Sequence, residues 1–151
     1  MTWRSTKTYG HNEGLSACFR QWRAKHSHCR FLHGYALSFR FTFEAYDLDD
    51  RNWVMDFGGL KELKAWLKDT FDHKTVVAFD DPKKEYFGDL ANEGVADVLF
   101  LDEGQHVGCE RFAEMAGKWI SDWLASNNPR VRCIEVECRE HGANSAIWVN
   151  P

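Results

Sequence analysis

Between residues 31 and 46, apolar and polar side chains alternate: His33, Tyr35, Leu37, Phe39, Phe41 and Phe43 fall on one side, and Ser38, Arg40, Thr42 and Glu44 on the other. Successive side chains of an extended chain point to opposite faces, so this period of two predicts a long, half-buried antiparallel strand. Residues 5–22 carry shorter runs broken by Gly10 and Gly14, with Leu15, Ala17 and Phe19 alternating against Ser16, Cys18 and Arg20. A first strand with a bend or bulge is expected there. Two more runs, 131–140 and 143–149, close the chain around a tight turn at His141-Gly142. Ile134, Val136, Cys138 and Glu140 should share one face of the first of these.

Elsewhere the period becomes helical. Leu60, Leu63, Leu67 and Phe71 form one apolar stripe behind Asp56, a suitable N-cap, and that helix should end near Asp72-His73. Phe112, Met115, Ala116, Trp119, Ile120 and Trp123 mark a second helix over 109–125, stopped by Asn127-Asn128-Pro129. Residues 74–107 read as an insertion between the helices, with Asp-Asp-Pro at 80–82, a helical piece around 84–90 and an apolar run at 98–101. The order strand, strand, helix, helix, strand, strand predicts one α+β domain over 1–151: a four-stranded antiparallel sheet with two helices on one face.

With 44% apolar and 28% charged residues among 151, disorder is excluded. Five cysteines form no Cys-x-x-Cys pair, and no apolar run suggests a signal peptide or membrane span, so a reducing cytoplasm is the expected setting. A formal charge of −4 argues against nucleic acid as a partner, and the mixed polar face of the second helix argues against a membrane surface. Locally the balance reverses. Arg20, Arg23, Lys25 and Arg30 surround the stretch His26-Ser-His-Cys-Arg-Phe-Leu-His-Gly-Tyr35, which forms either a basic pocket for an anionic ligand or a scattered solvated surface.

That stretch places three imidazoles and a thiol within ten residues, side chains suited to divalent metals and to proton transfer near neutral pH. His33 lies at the edge of an apolar face and needs a polar partner there. The His/Cys loop, Asp72-His73 and Glu140 could meet at one end of the sheet, combining a thiol, an imidazole and carboxylates into an acid/base or nucleophilic site. Plainer readings exist for each: Asp-His is a common helix ending, Cys29 could be an inert thiol, and His11 a surface or capping residue.

Taken in order, Cys29-x-x-Leu32-His33-Gly34, Met55-Asp56-Phe57-x-x-Leu60-Lys61, Phe71-Asp72-His73, Cys109-Glu110-x-x-Ala113 and Glu140 resemble the 6-pyruvoyl- and 6-carboxy-tetrahydropterin synthases. The resemblance implies the tunnelling fold and a homohexamer, a dimer of trimers with active sites between subunits. It implies a lyase acting on 7,8-dihydroneopterin triphosphate, in which Cys29, Asp72 and His73 are catalytic and Glu140 anchors the pterin ring. Arg20 and Arg30 would then meet the triphosphate. It also implies zinc, but the pattern departs at the ligands. Tyr35 stands where the second histidine of His-Gly-His is expected, and Phe19 takes the first-strand histidine position. His33 remains, with His28 and His11 as the substitute ligands.

Overall fold

In the computed structural model, which describes residues 1–151, the long alternating run is the spine of the sheet. This strand, β3 (His33–Ala45), pairs along one side with two shorter strands in succession. Strand β2 (Leu15–Phe19) runs antiparallel to residues 33–37 and β1 (Trp3–Tyr9) to residues 39–45. The single bent strand expected here is therefore two strands. His11–Glu13 form a 3₁₀ turn between them, and Gly14 closes it at φ 71°, a left-handed conformation that glycine adopts without a Cβ penalty. On its other side β3 pairs with β6 (Arg132–His141), which pairs in turn with β7 (Asn144–Val149), all antiparallel.

The α+β fold expected from the sequence is present, and residues 74–107 enlarge its four strands and two helices. These residues contain β4 (Lys74–Val77), α2 (Lys84–Asn92) and β5 (Asp97–Phe100), which follow α1 (Lys61–Phe71) and precede α3 (Cys109–Asn127). Strands β4 and β5 are parallel to each other, and β4 is parallel to β2, so the α+β fold has a mixed seven-stranded sheet and three helices. The physical reason is burial. A parallel strand covered on both faces reads as a short continuous apolar run rather than as alternation, and in β4 Thr75, Val76 and Val77 are all buried, whereas β5 is a partly exposed edge strand of four residues. The Arg20 guanidinium, just past β2, donates to both oxygens of Asp81, whose side chain is 1% exposed, and ties the inserted unit to the sheet.

One cluster of 29 buried residues forms the core. Phe39, Phe41 and Phe43 of β3 meet Leu63, Leu67 and Phe71 of α1 and Phe112, Ala116 and Ile120 of α3. Helix α3 lies so close to β7 that a Cβ on Gly117 would stand 2.1 Å from the Trp148 ring. The expected face of β6 is altered by a bulge opposite Thr42/Phe43, where the register passes from Glu135 to Cys133. Cys133 consequently enters the core with Val136 and Cys138, and Ile134 is left partly exposed. No helix is long and apolar enough to cross a membrane.

Candidate active site

The chain between β2 and β3 is held by its own backbone. Gln21 N–H donates to Cys29 O at 2.8 Å, and Ser27 Oγ accepts the Cys29 N–H at 3.1 Å, capping a 3₁₀ turn at His28–Arg30. Cys29 is the one exposed cysteine; Cys109, Cys133 and Cys138 are buried. Beside it stands Tyr35. Burial first, then the Glu140 charge, raise the Tyr35 phenol above its ordinary pKa, and Cys29 and Cys109 lie close enough to add to the shift. Behind them, burial first and a hydrogen bond with Cys109 second push the Cys138 thiol well above its usual range. The Tyr35 ring also lies 6.1 Å from His141, next to Glu140. Cys29, Tyr35 and Glu140 thus share one end of the sheet, with the phenol within charge range of both the exposed thiol and the carboxylate.

Asp72 and His73 do not join them within one chain. Asp72 Oδ1 contacts His73 Nδ1 at 2.7 Å, and His73 N–H donates to Ser16 O at 2.6 Å. Cys29 is bound to Gln21 instead, so roughly 15 Å of extended chain separates the two anchor points. Of the three elements expected together, the Cys29 loop and Glu140 share Tyr35 as a neighbour, and no hydrogen bond or ion pair joins Asp72 or His73 to them within the chain. His73 has φ 60° immediately after α1, a position where glycine is usual. A side chain held there carries backbone strain, and such strain persists where the surroundings impose it.

The positions expected to hold zinc are adjacent in space but are not a donor set. Phe19 pairs with His33 and Ala17 with Tyr35 across β2 and β3. The rings of Phe19, His33 and Tyr35 form a triangle with centroid separations of 5.5, 6.1 and 5.3 Å. His33 Nδ1 contacts Phe31 O at 2.7 Å, His11 Nδ1 contacts Ala36 O, and His28 packs edge-on against Phe31. His33, His28 and His11 are not gathered, and no three His, Cys, Asp or Glu side chains are placed to hold a metal ion. One imidazole with a phenol and a phenyl ring does not fit a tetrahedral zinc site.

Of the cations, Arg20 and Arg30 do come together, lining a cleft of about 330 Å³ against α2. Asp56 accepts the Gly58 N–H and, with Met55 and Phe57, lines a different cleft of about 470 Å³ near Trp3, beyond the far end of β3.

This distribution of motifs finds its counterpart among known proteins. The family model described as 6-pyruvoyl tetrahydropterin synthase matches residues 10–150. The chain belongs to that family. Among pterin synthases with curated names, the 6-carboxy-5,6,7,8-tetrahydropterin synthase of Rickettsia typhi is 39% identical over 54 residues, 35% of this chain and 39% of the relative. That of Rickettsia bellii is 36% identical over 50 residues, 32% and 36% of the two chains. The match thus spans less than two fifths of either relative's length. Solved structures share the fold more fully. An uncharacterised protein of Wolinella succinogenes superposes with a TM-score of 0.83 at 17% identity, covering 100% of this chain and 99% of the other. The 6-pyruvoyl tetrahydropterin synthase of Plasmodium falciparum gives 0.68 at 15%, covering 97% and 96%.

Within this pterin synthase framework, Tyr35 gains a place that the sequence pattern marks only as a departure. The signal was its register: two residues beyond His33 on the same face, it had to share that residue's surroundings. Cys109 and Glu110 open α3 beside the site, because Gln21 Nε2 donates to Val107 O at 2.8 Å and draws the helix start toward the loop after β2. Their motif was visible in sequence, but not their proximity to Cys138 and Tyr35.

Proposed function

We propose that this member of the family is a lyase of the 6-carboxy-tetrahydropterin synthase type, acting on 7,8-dihydroneopterin triphosphate with loss of triphosphate. The observation that carries the reading is the grouping of exposed Cys29 with Tyr35 and Glu140 at one sheet end. In this reading Glu140 accepts hydrogen bonds from the amino-pyrimidine edge of the pterin, a bidentate match of carboxylate to paired N–H donors. Cys29 removes a proton from the substrate side chain, and the electron pair expels the triphosphate as an anion. Arg30 faces that anion, with Arg20 held beside it in the same cleft by Asp81. His73, oriented by Asp72, completes proton transfer from a neighbouring copy, since the pair lies too far from Cys29 of its own chain. The assembly proposed is therefore a homo-oligomer, a hexamer built as a dimer of trimers. No step is assigned to zinc, because the residues at Phe19, His33 and Tyr35 do not suit it.

The test is incubation of purified protein with 7,8-dihydroneopterin triphosphate, following triphosphate release and pterin products by chromatography. Turnover that is lost on Cys29→Ala and Glu140→Ala is the expected result. Pterin binding without turnover would replace this reading by a second, a pterin- or purine-binding protein without the chemistry, which the aromatic triangle at the metal positions favours. Failure to bind any pterin would remove both.

A further inference from the structure

The cleft that holds Arg20 and Arg30 is half built by the inserted unit. Lys83, Tyr86 and Phe87, at the start of α2, form the wall opposite Arg30 and Phe31. Asp81 organises both sides. Its buried carboxylate takes two hydrogen bonds from the Arg20 guanidinium, at 2.9 and 2.5 Å, and its Oδ1 also accepts the Lys83 N–H at 2.8 Å. One side chain therefore sets the position of two cations. Asp81 neutralises Arg20, but neither Arg30 nor Lys83 takes part in any ion pair. The Arg30 guanidinium donates to Lys25 O at 2.7 Å and lies 4.5 Å from the Phe31 ring centroid, which aligns it while leaving its charge uncompensated. Asp80, the nearest other acid in sequence, is engaged by Arg23 and Trp22. An acidic chain thus keeps a cleft whose unpaired charges are both positive.

We propose that this cleft binds an oligophosphate chain, with Lys83 and Arg30 as the charge-bearing contacts and Tyr86 and Phe31 as walls. The inserted unit thereby supplies a substrate-binding residue. The inference rests on the pterin triphosphate reading for the identity of the tail, and Arg30 directly succeeds Cys29, so the cleft adjoins the loop that carries the exposed thiol. Charge-assisted hydrogen bonds from guanidinium and ammonium to phosphate oxygens are the appropriate chemistry.

Two probes keep this inference separable from the reading it rests on. Inorganic triphosphate and phosphate-free 7,8-dihydroneopterin are titrated by calorimetry into the native chain and into the Lys83→Glu, Arg30→Glu, Lys83→Arg and Lys118→Glu variants. Lys118 is an exposed residue of α3 whose reversal changes net charge equally. The expected result is salt-sensitive triphosphate binding that falls about tenfold or more in Lys83→Glu and Arg30→Glu, is kept in Lys83→Arg, and is unchanged in Lys118→Glu. Dihydroneopterin affinity should not respond to Lys83→Glu. Equal losses in Lys83→Glu and Lys118→Glu, or no triphosphate binding by the native chain, would overturn the proposal even if dihydroneopterin binds. Triphosphate binding with no affinity for dihydroneopterin would support the cleft and remove the pterin reading instead.

Discussion

At position 73 a histidine occupies the left-handed region where glycine is the unstrained choice. The strain there costs on the order of 1–3 kcal/mol, against about 0.4–1 kcal/mol of unfolded-state entropy that glycine would add. His73→Gly should therefore raise stability by about 1 kcal/mol in denaturant titration while abolishing turnover. Loss of stability would mean that the exposed Asp72–His73 contact outweighs the strain. A second expectation concerns Phe19 and Tyr35. Because their backbones are paired with β3 and β2 in register, the side chains at 19 and 35 alone distinguish the surroundings of His33 from a three-histidine donor set. The double variant Phe19→His/Tyr35→His should bind about one zinc per chain, with a melting temperature that rises on metal addition. The native chain should contain far less by elemental analysis. A full equivalent of zinc in native protein, removed by His33→Ala, would sink this account.

The inserted unit is attached through few polar links, of which Arg20–Asp81 is the most buried. Asp81→Ala should destabilise the fold by about 2–3 kcal/mol, somewhat less than a fully buried pair, because Arg20 keeps access to solvent. Hydrogen exchange should accelerate in β4, α2 and β5 before it does in β3. Uniform acceleration would show that the unit is not separately anchored. The same unit marks where sequence legibility stops. Helices α1 and α3 were legible because each shows one face to the core and one to water, whereas β3 was legible from its alternating residue types, Ser38 and Thr42 being buried opposite the phenylalanine face. Within 74–100 the helical piece expected around 84–90 is α2 and the apolar run at 98–101 overlaps β5, but the four-residue strands are too short for a period to emerge, so their pairing was not legible. The bulge that brings Cys133 inward is likewise invisible along the chain, since it depends on what lies opposite in β3. At the site, the Cys29 and Glu140 motifs were legible along the chain, and Tyr35 lies within charge range of both. The distance to His73 was not legible, because it depends on which end of β2 each loop meets.

For the whole molecule, pH acts through buried neutral groups. Burial raises Cys133 from 9.0 to about 12, and burial with the Glu13 charge raises Tyr9 from 10.0 to about 12. A raised folded pKa means that the unfolded chain loses its proton first, so stability is intact below pH 9 and is lost progressively between about pH 9 and 12. Urea midpoints should fall across that window, and Tyr9→Phe should lessen the fall above pH 10. An unchanged slope in that variant would show that Tyr9 is not a contributor.

The distribution of motifs has a larger consequence. Cys29 and Glu140 stand at one end of β3, the Met55-Asp56-Phe57 motif lies past the other, and β3 spans about 40 Å between them. Strands β1 and β7 each have one edge without a partner strand in the chain, which is how sheets of separate copies join. If the working site combines Cys29 of one copy with His73 of the next, Cys29→Ala and His73→Ala homomers are both inactive, but for different reasons. Unfolded together and reassembled in equal amounts, they should place an intact Cys29 opposite an intact His73 at about a quarter of the sites, half of the copies supplying each side. Activity should return to about that fraction of the native rate, whereas mixing without subunit exchange should restore none. A site contained within one chain would give no recovery in either case, because every chain in the mixture lacks one of its two groups.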